Sequence, residues 1–155
     1  MTVSARLREL GLELPSVVPP VAAYIPARVH GDLAWTSGQL PMVAGSLPAT
    51  GKVGEGDGLV PAAEAKDLAR TCALNAIAAA AAAVGGVDRL TGVFKVTGFV
   101  ASDPAFTGQP GVVNGASELL GEIFGEAGAH SRSAVGVAVL PLDAPVEVEV
   151  AFTFA

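Results

Sequence analysis

Apolar positions along the chain recur with two different periods, and the changes between them divide it into elements. Leu7, Leu10 and Leu14 lie at helical spacing, which predicts a short amphipathic helix over residues 1–14. Pro15, Pro19 and Pro20 then force an extended passage, because proline lacks a backbone donor and disfavours helix in the residue before it. Two short strands are predicted at residues 21–29 and 33–37, joined by a turn at His30, Gly31 and Asp32. Residues 44–58 are rich in glycine and read as a flexible loop. A long helix follows from Pro61 to Gly85-Gly86: Ala65, Leu68, Cys72, Ala76 and Ala79 form one stripe, and Glu64 suits the positive end of its dipole. Residues 92–101 alternate as a strand does, with Val93, Lys95, Thr97 and Phe99 on one face and Phe94, Val96 and Val100 on the other. A second helix is predicted from about Pro110 to Glu126, with Val113, Leu120 and Phe124 among its apolar positions.

The last two runs, "SRSAVGVAVLP" and "VEVEVAF", pose the question that decides function. In the first, Ser133, Val135, Val137 and Val139 share a face, against Arg132, Ala134, Gly136, Ala138 and Leu140. In the second, Val146, Val148, Val150 and Phe152 oppose Glu147, Glu149, Ala151 and Thr153. Each run thus has a bulky apolar face, expected under the helices, and a face of small residues with a few charges. A hairpin between the runs would leave Arg132 on the order of 20 Å from the partner of Glu147 at strand rise. The two therefore meet through a non-hairpin sheet order or across a subunit boundary. The element order ββ, α, β, α, ββ, with no repeat and no second boundary, gives a single α+β domain with a sheet on one side and helices on the other.

Composition narrows the partners. Of 155 residues 51% are hydrophobic and 15% charged, against roughly 25% charged in soluble domains, so self-association is expected. The net charge is -6 and no Lys/Arg cluster occurs, which argues against nucleic acid as a partner. The lone Cys72 forms no disulfide framework and agrees with a reducing cytosol, and no signal peptide or apolar stretch of bilayer length is read, so a cytoplasmic protein is expected.

The segments "SGQLP" at residues 37–41, "SRSAVGVAVLP" at 131–141 and "VEVEVAF" at 146–152 together resemble the Rid (YjgF-like) family. Tyr24, in "AAYIPA", falls where that family has Gly-Pro-Tyr, thirteen residues before Ser37, and Glu147 follows Arg132 by fifteen. The resemblance runs from about residue 20 to the end, leaving residues 1–20 as an N-terminal extension to a domain at 21–155. It implies a chorismate-mutase-like α+β fold: a mostly antiparallel mixed sheet, two helices on one face, and a homotrimer with ligand clefts between subunits. It also implies hydrolysis of enamines and imines of the 2-aminoacrylate and 2-iminopropionate type to 2-keto acids and ammonium, without a cofactor. Arg132 would then hold the substrate carboxylate as a planar fork, and Glu147 would orient or deprotonate water. Tyr24, Ser37, Gly38 and Asn114 would complete the substrate pocket. The sequence departs from the family at Ala134, where a cysteine is common, at Ala22-Ala23 in place of Gly-Pro, and in a longer stretch at 102–111.

Other readings compete. The same pocket fits a non-catalytic binder of small carboxylated metabolites. A ribonuclease or translation inhibitor, the family's older association, conflicts with the acidic charge. Arg132 alternatively pairs with Glu149 at an interface, and His130 caps the end of the preceding helix. "GEGDG" lacks the Lys-Ser/Thr of a phosphate loop, Cys72 reads as a small core residue, and no His/Cys spacing fits a metal.

Overall fold

The computed structural model describes residues 1–17 and 23–155. Its elements are α1 (Val3–Glu9), β1 (Ala27–His30), β2 (Leu33–Thr36), α2 (Ala62–Val84), β3 (Leu90–Ala101), α3 (Gln109–Phe124), β4 (Ser131–Val137) and β5 (Val146–Phe154). One five-stranded sheet runs β1-β2-β5-β3-β4, antiparallel except for the parallel pair β3–β4. The α+β expectation holds, with both long helices on one face: α2 covers β5, β2 and β1, and α3 covers β3 and β4.

β3 lies between β4 and β5, so the last two runs are sequence neighbours but not sheet neighbours. Their connection turns through Leu142 and Asp143, both at positive φ (58° and 59°). β5 is the spine. Val146, Val148, Val150 and Phe152 are fully buried under the helices, as the alternation predicts.

The helix layer is close-packed because α2 is made of small residues. Ala65, Ala69, Cys72, Ala73, Ala76 and Ala80 are fully buried, with Leu68 and Ile77 filling the gaps. This 23-residue helix is also long and apolar enough to cross a membrane, yet 61% of its most apolar window is buried inside the domain, which marks it as a core helix. Gly85 ends it in the left-handed conformation (φ 85°). Cys72 donates to the Val146 carbonyl at 3.8 Å, and burial pushes its thiol well above the usual range, so it is a core residue. α1 packs on the same core through Val3 and Leu7, and Arg6 donates to the Glu122 carbonyl at 2.8 Å.

Four expectations change. The first strand starts at Ala27, not residue 21; Val21 and Ala22 lie outside the described residues. Phe94 does not share the buried face with Val96 and Val100. Register shifts between Val93 and Lys95, so Val93 turns inward and Phe94 stands 56% exposed. Residues 44–58 are not a free loop. Val53 is fully buried; its N–H donates to the Ala101 carbonyl at 2.7 Å, and its carbonyl accepts from Asp103 N–H at 2.9 Å.

The fourth change moves the site. The bulky face of β4 points away from the helices: Val135 and Val139 are 44% and 65% exposed. Arg132 pairs with Val96, whose side chain faces the helices, so Arg132 and Ala134 face α3 instead. The small face is the one that accommodates a close neighbour. A Cβ at Gly136 would meet the Gln109 amide at the start of α3.

Candidate functional site

Sheet order and the bulges sort the expected site residues into two groups on opposite faces. The first surrounds Glu147, which points to the open face from the start of β5. Trp35 opposes Ala151 and Gln39 opposes Val148, so four steps on one strand answer three on the other. Thr36, a buried polar side chain, closes that gap by accepting Val150 N–H on its hydroxyl at 3.0 Å. The bulge lays Gly38 against the Glu147 carboxyl group, which fills the space where a Cβ would stand. Asn75 of α2 pins the following residues, donating to the Leu40 and Met42 carbonyls at 3.0 and 3.1 Å. Ser37 donates to the Ile25 carbonyl at 2.6 Å, tethering the segment that carries the exposed Tyr24. Tyr24, Ser37, Gly38 and Glu147 thus belong to one neighbourhood.

The second group surrounds Arg132. Its Nη1 donates to Asn114 Oδ1 at 2.7 Å and to Ser117 Oγ at 3.2 Å, and its Nη2 donates to the Pro110 carbonyl at 3.3 Å. All three acceptors are neutral. Among the described residues Arg132 makes no ion pair, and Glu149 lies on the other face of the sheet beside Thr97. Three of the five guanidinium N–H groups are engaged, which leaves two, as many as a bidentate carboxylate takes. Ser117 and the Pro110 carbonyl are absent from the sequence expectations. The readable signal was Asn114 and Ser117 at helical spacing opposite His130 and Arg132 at strand spacing.

One chain does not bring the groups together. Arg132 sits level with Val96 and Glu147 level with Phe99, two strands apart and on opposite faces. From strand spacing and rise, their Cα atoms are about 14 Å apart. Two surface grooves of the single chain lie elsewhere, one lined by Glu55, Asp103, Phe106 and Thr107 and another by Lys66, Arg70, Glu118 and Glu122. No cluster of metal-ligating side chains occurs among the described residues.

Burial, and secondarily the charge of Glu149, raises the Glu147 carboxyl above its usual range. A raised acid holds its proton more tightly in the fold than in the unfolded chain. That favours the native state below the unfolded pKa and is lost as pH rises through the folded one. Glu147→Gln is therefore expected to raise the urea midpoint relative to wild type near neutral pH, the difference vanishing toward about pH 4. Coincident midpoints at neutral pH would show that the fold does not penalise this charge.

A family model described as "YjgF/chorismate_mutase-like, putative endoribonuclease" matches residues 4–154. The chain belongs to the YjgF/chorismate-mutase-like family. The match begins inside α1, ahead of residue 20 where the motif resemblance starts. Protein TCP17 of Trypanosoma cruzi is 42% identical over 150 residues, covering 95% of this chain and 91% of that protein. A crystal structure of a protein of unknown function from Agrobacterium tumefaciens matches with TM-score 0.88 at 41% identity, over 99% of this chain and 94% of that one. A "putative endoribonuclease" from Shewanella oneidensis MR-1 matches with TM-score 0.92 at 34% identity, over 99% of this chain and all of the other. The YjgF-like fold thus extends over nearly the whole chain, α1 included.

Proposed function

We propose that the protein hydrolyses small carboxylate-bearing imines and enamines of the 2-iminopropionate and 2-aminoacrylate type in clefts between copies of itself. The observation that carries this reading is the Arg132 guanidinium: it is fixed by neutral acceptors and, among the described residues, has no carboxylate partner and two N–H groups not engaged. Such a group suits a carboxylate. A homotrimer is part of the proposal, because Arg132 and Glu147 face opposite ways in one chain and meet only if a second copy supplies one of them. The open sheet face supports this, with Trp35 and Phe94 47% and 56% exposed.

In the reaction, Arg132 binds the substrate carboxylate and Glu147 takes a proton from water as its oxygen bonds to the iminium carbon. Glu147 then returns that proton to the nitrogen of the tetrahedral adduct. The C–N bond breaks, the hydroxyl proton passes to the departing ammonia, and a 2-keto acid and ammonium remain. Burial raises the Glu147 carboxyl above its usual range, which makes it a better acceptor of the proton from water than an exposed carboxylate. An enamine first takes a proton from solvent at its terminal carbon to give the same iminium; an iminium carbon is electrophilic, so water and one base then suffice.

The test is release of pyruvate from 2-iminopropionate, generated from alanine by an amino-acid oxidase. Wild type is expected to accelerate it. Gly38→Ala, which pushes the Glu147 carboxyl aside at its flexible end, is expected to lower kcat with little change in melting temperature. Light scattering should give three times the 15.4 kDa chain mass. Saturable binding of pyruvate with no acceleration would instead favour a metabolite-binding protein on the same receptor. The net charge of -6 gives no support to RNA cleavage.

A further inference from the structure

Arg132 is the end of a longer hydrogen-bonded chain. His130 Nδ1 lies 2.6 Å from the Gly128 carbonyl, and its Nε2 lies 2.9 Å from Ser117 Oγ. A carbonyl only accepts, so Nδ1 carries a proton, and in the neutral ring Nε2 is left as an acceptor. The Ser117 hydroxyl therefore donates to Nε2 and turns a lone pair toward Arg132, which donates to it at 3.2 Å. The far end is rigid. A Cβ on Gly128 would lie on the Leu120 carbonyl and the Gly121 backbone, so this segment rests directly on α3.

We propose that Gly128, His130 and Ser117 form a relay that positions Arg132 for its carboxylate, with His130 and Ser117 as positioning residues that never touch substrate. This rests on the reading of Arg132 as the carboxylate anchor. Without Ser117 the guanidinium would keep one short bond, Nη1 to Asn114, and one long one, Nη2 to the Pro110 carbonyl at 3.3 Å; the oriented Ser117 oxygen takes the second Nη1 proton and adds the third point that fixes the plane. The two spacings meet for this purpose: His130 and Arg132 lie two apart leading into β4, and Asn114 and Ser117 lie three apart on α3. A free serine hydroxyl would point its proton at Arg132 part of the time and repel it. The histidine removes that orientation.

The relay is tested in the full-length protein by NMR of 15N-labelled arginine side chains, with Arg132 assigned from Arg132→Lys. In wild type and Ser117→Thr, slow rotation of the Arg132 guanidinium is expected. In Ser117→Ala and His130→Ala it should become fast, with pyruvate affinity about tenfold weaker, the worth of one hydrogen bond to a charged group. The double variant should lose no more than either single one, because the residues act as a unit. In the imine assay the loss should fall on KM, with kcat nearly unchanged. Unchanged rotation in both alanine variants, or losses that add in the double variant, overturns the relay. Loosened rotation together with a wild type that neither binds pyruvate nor hydrolyses imine would sustain the relay and overturn the anchor reading instead.

Discussion

Arg132→Ala is expected to lower kcat/KM for 2-iminopropionate by roughly two to four powers of ten. Two charge-assisted hydrogen bonds to a carboxylate contribute about 1.5–3 kcal/mol each, and each ~1.4 kcal/mol is tenfold. The fold should survive. Arg132 is half-buried on an edge strand, and Asn114 and Ser117, which it leaves behind, are both half-exposed and reach water. The melting temperature should therefore move by no more than a few degrees. Arg132→Lys separates charge from geometry: it keeps the cation but loses the planar fork, and should still lose roughly tenfold or more. Wild-type rates in Arg132→Ala would remove this residue from the reaction, and equal rates for alanine and lysine variants would make the fork, not the charge, the whole effect.

That experiment also bears on assembly. If the carboxylate anchor and the base come from different copies, mixing Arg132→Ala with Glu147→Gln chains under conditions that exchange subunits restores some intact clefts. Each variant alone has none. Sheet order sets Arg132 and Glu147 two strands apart, and the register, with Arg132 level with Val96 and Glu147 level with Phe99, turns them to opposite faces within one chain.

The elements were largely legible because each rests on a local signal. The alanine stripe and Gly85 delimit α2, the valine alternation marks β5, and both match the structure closely. What was not legible was which face of each strand turns inward. Period two yields two faces but does not say which is covered, and in β4 the usual size rule fails. The small residues face α3 because the helix must come close, while Val135 and Val139 stay open. A bulge of one residue likewise inverted Phe94. The candidate site followed the same division: residues such as Arg132 and Glu147 are visible as charges out of place, but Ser117, Thr36 and Asn75 act through backbone and side-chain partners distant in sequence.

Two glycines on α3 are expected to respond to the same substitution with opposite signs. Gly115 and Gly121 both lie inside the helix, where alanine is favoured by about 1 kcal/mol on propensity. A Cβ on Gly121 meets nothing, so Gly121→Ala should stabilise by roughly 0.5–1 kcal/mol. A Cβ on Gly115 would fall on the Lys66 backbone carbonyl of α2, which cannot swing aside as a side chain does. The helices must separate, loosening Leu119, Val112 and the alanine face of α2 that they bury together. Overpacking of this kind costs about 1–3 kcal/mol and more where backbone is the obstacle, enough to overcome the propensity gain. At roughly 2–4 °C per kcal/mol for a chain of this size, Gly115→Ala should melt several degrees lower and Gly121→Ala slightly higher. Similar melting temperatures for the two variants would mean that α2 and α3 have room between them, and the close helix layer that holds Asn114 and Ser117 opposite Arg132 would have to be redrawn.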